Sequence, residues 1–260
     1  MPAPKPATIA GQLLEEISAH LLHGGHMLPE DSPQWTRLWD LCEKLQVADV
    51  VAASAHKADL FHLSGNVERA LYWANNARRN GGQRAGDSAL FTAYVNLGYA
   101  EEAAKIFPTL LDIEDGLINA WLISGFGCGS FSEMVTASER LERAGGEITR
   151  KGVVRLATRA RAALELLGVS EHQLRVMMDH AGQLMRARHL LWLNEAPDVL
   201  ASRPGESQYV ALNYRLDVPP VQAAEMTWEL AERLAEHDLV RPNVTVGFIG
   251  EKNEAASHQA

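Results

Sequence analysis

Two segments of this chain repeat one pattern at a spacing of 33 residues, and that pattern constrains the fold more than any other feature. In the first segment Phe61 precedes Gly65 by four residues, and Ala70 follows the glycine by five. The same three positions are occupied in the second segment by Tyr94, Gly98 and Ala103. An aromatic side chain can fill the interface of two antiparallel helices, glycine makes the turn, and a small residue permits close approach. The sequence therefore predicts a mainly α fold, built as a stack of antiparallel helix hairpins.

The composition supplies ample material for a packed core, since 47% of the 260 residues are hydrophobic and 22% are charged. We expect a helical-repeat domain over residues 8–195 and a small α/β module over residues 205–250. Residues 1–7 and 251–260 lack apolar periodicity and are predicted to be disordered tails.

Local signals place further helices around the two repeats. Apolar residues recur at three- and four-residue steps over residues 8–23, which predicts an amphipathic helix. Ser32 and Pro33 suit the start of a second helix, because serine caps free amides and proline fits the first helical position. A capping box, Ser170 to Gln173, predicts the start of a late helix.

The repeated positions resemble those of the tetratricopeptide repeat, with an aromatic residue in the first helix, glycine at the turn, and small residues in the second helix. The resemblance covers roughly residues 48–144, where a third, weaker copy turns near Gly129 and has Gly125 in place of the aromatic residue. It departs from the family because it lacks the usual early tryptophan and has no proline at Gly82 or Asp115 to close the repeats. The resemblance implies a right-handed superhelix whose concave face holds a peptide or a partner helix.

Period-two alternation indicates a different structure near the C-terminus. After a loop containing Pro197, Pro204 and Gly205, alternating apolar residues predict strands over 209–216 and 244–248, joined by a helix. Two strands and one helix bury too little apolar surface to be stable alone. The sheet is therefore expected to lean on the helical stack, to gain further strands, or to pair with a second copy in a homodimer.

The second helix of the first repeat carries the most suggestive binding residues. An exposed aromatic side chain with amides beside it is suited to hold an extended backbone. The predicted partner-binding residues are Tyr72, Trp73, Asn75 and Asn76. Burial of Trp73 in the stack is the alternative interpretation.

A basic stripe stands out because the formal net charge of the chain is -9. Lys151, Arg155 and Arg159 recur every four residues on the predicted helix 149–167 and could hold an acidic peptide, a phosphate or a nucleic-acid backbone. A solvated outer face of an amphipathic helix explains the same pattern. The negative net charge and the lack of aromatic residues in the stripe weaken a nucleic-acid role.

Other residues offer weaker candidate sites. His20, His23 and His26 have a spacing that can bind zinc or nickel, but no cysteine or carboxylate pattern completes such a site. Cys128 lies in a glycine-rich loop that lacks the sequence context of a phosphate-binding loop, so a turn explains it better. We therefore expect no metal, no cofactor and no catalytic residues.

These patterns favour a non-enzymatic helical-repeat protein that binds a protein or peptide partner in an adaptor, chaperone-like or regulatory role. Acidic residues and a histidine interrupt the first apolar stretch, residues 12–22, so no secretory signal is expected. No stretch approaches the roughly 18 apolar residues of a membrane span, so the predicted location is cytoplasmic. The alternative function is a dimeric regulator that contacts nucleic acid or another polyanion through helix 149–167.

Overall fold

A computed structural model describes residues 6–24, 26–111, 117–192, 196–203 and 205–251, without the side chains of residues 6, 7 and 21–24. Both predicted tails therefore lie almost wholly outside the described residues. The protein is mainly α-helical, with a small sheet near the C-terminus. The helices are α1 (Pro6–Gly24), α2 (Pro33–Gln46), α3 (Val50–Leu63), α4 (Val67–Arg79), α5 (Gln83–Asn96), α6 (Ala100–Leu110), α7 (Ile118–Trp121), a 3₁₀ helix (Leu122–Cys128), α8 (Phe131–Arg143), α9 (Lys151–Leu167), α10 (Glu171–Ala187) and α11 (Pro220–Glu236). The strands are β1 (Asp198–Ala201), β2 (Val210–Leu216) and β3 (Val244–Gly250).

The chain forms two compact units, of which the first contains α1–α5 and a short segment that begins at His189. Side chains cap its helices: Ser32 accepts a hydrogen bond from the Trp35 amide, and Asp49 accepts one from the Ala52 amide. Gly65 makes the bend between α3 and α4 with a φ of 78°, a conformation that favours glycine. Helix α4 packs closely on α3 and α5 through three small, buried residues: Ala70, Ala74 and Ala77.

The second unit contains α6–α11, the 3₁₀ helix and the sheet. Gly98, with a φ of 67°, precedes α6 and lies directly against Gly182 of α10. A Cβ atom at Gly182 would lie 1.9 Å from the Gly98 carbonyl oxygen, so this contact requires glycine. Asp179 of α10 caps the start of α6, because its Oδ1 accepts a 2.5 Å hydrogen bond from the Ala100 amide.

The sheet has the order β1-β2-β3. Strand β1 is antiparallel to β2, with Asp198 opposite Asn213, and β2 is parallel to β3, with Val210 opposite Val244. Helix α11 joins the two parallel strands, as the predicted strand-helix-strand order requires. Helix α9 packs against β1 and β2, while α10 packs against β3 and α11.

The structure corrects the expected loop around Pro197, because that stretch contains β1. The strands belong to the same compact unit as α6–α10, because a third strand completes the sheet and the sheet packs on α9 and α10. The sequence instead suggested separate domains over residues 8–195 and 205–250. The predicted N-cap at Ser32 and the capping box at Ser170 are confirmed. Among the described helices, none combines the length and apolar character needed to cross a membrane.

Candidate functional site

Five aromatic side chains meet on α2, α3 and α4, and we call them the aromatic cluster: Trp35, Trp39, Phe61, Tyr72 and Trp73. Their rings contact edge to face, with centroid distances of 5.2 Å for Trp35–Phe61, 5.7 Å for Trp39–Phe61, 6.2 Å for Trp39–Trp73 and 5.2 Å for Tyr72–Trp73. Such tilted contacts add to the energy of burying the rings. The cluster thus runs continuously from the buried rings of Trp35 and Phe61 to Tyr72, which is 61% exposed.

A buried lysine lies beside this cluster. The ammonium of Lys57 is 4.7 Å from the ring centroid of Trp39 and 4.2 Å from that of Trp73, and the residue is only 1% exposed. Its Nζ also donates to Glu43 Oε1 at 2.5 Å and to the side-chain oxygen of Gln46. Because the cation attracts both ring faces, it fixes the positions of the two tryptophans.

A groove of about 290 Å³ opens beside the aromatic cluster and is called the aromatic groove. It is lined by Glu30, Trp35, Thr36, Trp39, Phe61 and Arg69. At its rim Arg69 pairs with Glu30 at 3.2 Å, and the Arg69 guanidinium carbon lies 5.2 Å from the Phe61 ring centroid. Glu30 also accepts hydrogen bonds from Ser64 and Asn66, which hold its carboxylate in place. The groove therefore has an apolar aromatic wall and a charged edge.

The predicted binding residues divide into two groups. Tyr72 and Trp73 belong to the aromatic cluster, with Tyr72 exposed and Trp73 half-buried. The two amides instead serve the helices themselves. Asn75 donates to the Leu71 carbonyl of its own helix, and Asn76 donates to the Ser54 hydroxyl of α3 at 2.9 Å. Their donor groups are therefore engaged within the protein.

Several residues of the site carry no binding signal in the sequence. Trp35 and Trp39 stand four residues apart on α2, a spacing typical of a core-facing stripe. Lys57 on α3 and Arg69 on α4 belong to no recurring charged stripe within their helices. Only the packing of α2, α3 and α4 brings these side chains together, so the spacing within one helix could not reveal the groove.

The basic stripe on α9 is partly exposed. Lys151 and Arg155 are exposed and have no ion-pair partner in the described part of the chain, while Arg159 is half-buried. The Nε atom of Arg159 is buried without a hydrogen-bond partner among the described residues. The stripe lies on a helix face rather than in a pocket.

Among the described residues, the histidine and cysteine candidates are not brought together into a metal site or a reactive thiol. His20 Nε2 lies 3.3 Å from the His26 carbonyl oxygen, and the His23 side chain is outside the described residues. Within those residues no group of three or more His, Cys, Asp or Glu could hold a metal ion. Burial raises the pKa of the Cys128 thiol to about 12, so at neutral pH it stays protonated rather than forming the nucleophilic thiolate.

A second, wider groove of about 900 Å³ lies in the other compact unit, among the 3₁₀ helix, α9 and β1. Its lining is mostly apolar, and the one charged pair on its wall is Arg215 and Asp198, joined at 2.5 Å. Arg215 also binds Glu251 at 2.7 Å. Both ends of its guanidinium are therefore already satisfied by carboxylates.

Comparison of the chain with protein-family models, with curated proteins and with solved structures found no match.

Proposed function

We propose that this chain is a cytoplasmic, non-enzymatic protein that binds a protein or peptide partner through the aromatic groove. The observation that carries the proposal is the continuity between the groove wall at Trp39, the half-buried Trp73 and the exposed Tyr72. Tryptophan, tyrosine and arginine are the residues that contribute most often to binding energy at protein interfaces. Here tryptophan and arginine line the groove, and Tyr72 lies next to it through its ring contact with Trp73.

The buried lysine supports binding by fixing the groove before a partner arrives. Lys57 holds Trp39 and Trp73 through contacts of 4.7 and 4.2 Å with their ring centroids. Less side-chain entropy is then lost when a ligand contacts these rings. A preformed surface of this kind suits an adaptor, because most of the conformational entropy lost on binding is then lost by the partner.

The chemistry of the groove indicates what the partner presents. Its apolar wall fits a large apolar or aromatic side chain, whereas the paired Arg69 and Glu30 at the rim suit backbone amides or a polar flanking residue. We therefore expect a short segment with one buried apolar anchor and polar residues on either side.

The proposal is tested by selecting ligands from a random peptide library displayed on phage and titrating a synthesised winner against purified variants. Arg69→Ala removes a rim residue of the groove, and Tyr72→Ala removes the exposed ring of the adjoining aromatic cluster. We expect at least about tenfold weaker binding for each. Tyr209→Ala is the matched control, because Tyr209 is also an exposed tyrosine, at 42%, but belongs to the other compact unit. Peptides that bind Tyr72→Ala and Arg69→Ala as tightly as the original chain would refute the proposal.

The second candidate function is polyanion binding by α9, which the exposure of Lys151 and Arg155 favours. A phosphate backbone bound there would lose affinity steeply as salt increases. Titration of duplex DNA at several salt concentrations, with Lys151→Glu/Arg155→Glu as the comparison variant, tests this candidate. Weak binding that is equal in both proteins would exclude it.

A further inference from the structure

Two exposed stripes on α9 and α11 match each other in length and spacing. Each helix has 17 residues, which corresponds to about 25 Å of helix. The stripe on α9 comprises Lys151, Arg155, Arg159, Ala162 and Leu166, and the stripe on α11 comprises Val221, Glu225, Trp228, Glu232 and Glu236. Counted from the N-terminal end of α9 and from the C-terminal end of α11, the residues of the two stripes follow one another at the same steps of 4, 4, 3 and 4.

Antiparallel alignment of the two stripes produces complementary pairs at both ends. Lys151 then faces Glu236, and Arg155 faces Glu232, so opposite charges meet at one end. Leu166 faces Val221 at the other end, where both side chains are apolar. In the middle the half-buried Arg159 lies opposite Trp228, which suits a guanidinium and an indole ring, and Ala162 lies opposite Glu225.

The side chains of these stripes expose unusual apolar area to solvent. Leu166 is 73% exposed, Trp228 is 70% exposed and Val221 is 59% exposed. Small residues flank the tryptophan on the same face of α11, at Ala224 and Ala231, so another helix could approach closely. Burying this surface against a second helix would be favourable, in proportion to the apolar area removed from water.

The charged groups in the stripes are available for new partners. Lys151, Arg155 and Glu236 form no ion pair within the described part of the chain. Glu232 accepts a hydrogen bond from Trp228 Nε1 at 2.8 Å, which holds the indole along the helix surface. By contrast, Glu229 already binds Arg188 and Arg233 and lies outside the stripe. Antiparallel pairing also places the opposite ends of two helix dipoles together.

We propose that α9 of one copy of this chain packs antiparallel against α11 of a second copy. Apart from the half-buried Arg159, both stripes face solvent within a single copy, so the pairing needs two molecules. A second copy fits better than a polyanion because the α9 stripe becomes apolar at Ala162 and Leu166, where phosphates would find no partner. This surface belongs to the second compact unit and is independent of the aromatic groove.

The test is sedimentation velocity over a range of micromolar concentrations. The original chain is expected to associate, whereas Trp228→Ala should weaken association by about tenfold or more. Lys151→Glu/Arg155→Glu and Glu232→Lys/Glu236→Lys should each remain monomeric, because like charges then face each other. An equimolar mixture of these two variants should associate again. In the mixture the acidic α9 of one variant meets the basic α11 of the other, and the basic α9 meets the acidic α11.

Lys44→Glu/Arg79→Glu is the control, because it changes net charge as much as Lys151→Glu/Arg155→Glu but at exposed positions in the other compact unit. It should associate like the original chain. Circular dichroism verifies that each variant is folded, and the two charge variants test the pairing even if Trp228→Ala does not fold. A monomeric original chain, or folded charge variants that stay monomeric when mixed, would overturn the proposal.

Discussion

The ammonium of Lys57 lies 4.2 Å from the centre of the Trp73 ring, in a position almost sealed from solvent. A lysine in an apolar environment is stable only when its charge is compensated. Two aromatic faces and the side chains of Glu43 and Gln46 provide that compensation. The lysine is thus both a stabilising element of α2–α4 and the support for the aromatic groove.

Lys57→Met should lower the free energy of unfolding, because methionine fills similar space but interacts with neither ring as a cation. The expected loss is about 1–2 kcal/mol, in the range of a desolvated cation–π contact. Glu43 is half-exposed and can return to water, so no unpaired charge is left buried. Urea denaturation measures the change.

Lys44→Met is the control for this substitution, since Lys44 is an exposed lysine of the same unit on α2. Its stability should change by less than about 0.5 kcal/mol, as is usual for surface positions. Equal stability of Lys57→Met and Lys44→Met would show that the cation does not support the cluster.

Gly182→Ala should destabilise the second unit strongly. The added Cβ would lie 1.9 Å from the Gly98 carbonyl oxygen, and that backbone cannot move without shifting the start of α6. Overpacking of this kind costs about 1–3 kcal/mol or more. Thermal unfolding of the two proteins measures the loss.

Gly152→Ala provides the opposite control on α9. The added methyl group there would meet only the end of the Arg155 side chain, at 4.0 Å. Because alanine favours helix more than glycine does, this variant should gain up to about 1 kcal/mol. If Gly182→Ala were as stable as Gly152→Ala, the close contact of Gly98 with Gly182 would be incorrect.

Local signals in the sequence located most of the helices and the two long strands, but they did not indicate the short α7 or the 3₁₀ helix that stands where the third repeat copy was expected. Glycine at positions 65 and 98 predicts turns because both residues need positive φ, and the structure has bends there. The Ser170 capping box depends on residues three apart, so its geometry is also local. Features set by neighbouring residues could therefore be predicted from the sequence.

Long-range packing determined what the sequence did not reveal. Strand β1 has four residues with little alternation and is defined by its pairing with β2. Lys57 lies far from Trp39 and Trp73 in the sequence, and nothing in its own helix indicates that its ammonium contacts their rings. The donor groups of Asn75 and Asn76 proved to be engaged, because their positions on α4 bring them against helix backbone and Ser54.

Asp179 should contribute to stability through its oxygen rather than its charge. Burial raises the pKa of its carboxyl group, although hydrogen bonds from the amides of Ala100 and Glu101 act in the opposite direction. Asp179→Asn keeps an oxygen acceptor for the α6 amides and should stay within about 0.5 kcal/mol of the original chain, whereas Asp179→Ala should lose about 1–2 kcal/mol. Urea denaturation of the three proteins separates these outcomes.

The pH dependence of the Asp179→Asn comparison has a definite sign. A carboxyl group with a raised pKa in the folded state binds more protons folded than unfolded, so its contribution to stability decreases as pH rises through the folded pKa. The original chain should therefore lose stability relative to Asp179→Asn between the ordinary aspartate pKa and the raised one. An opposite slope would mean that the amide hydrogen bonds outweigh burial.

The two cysteines should react with Ellman's reagent only after unfolding. Burial raises the pKa of both Cys42 and Cys128 to about 12, whereas a thiol in an unfolded chain has a pKa of about 8.5. At neutral pH the folded chain should thus show no fast-reacting thiol, and guanidinium should expose both. Because the folded thiols have the higher pKa, their burial should also destabilise the fold as pH rises from about 8.5 toward 12. Labelling of Cys128 in the folded chain as fast as free cysteine would contradict its burial and reopen a catalytic role for this thiol.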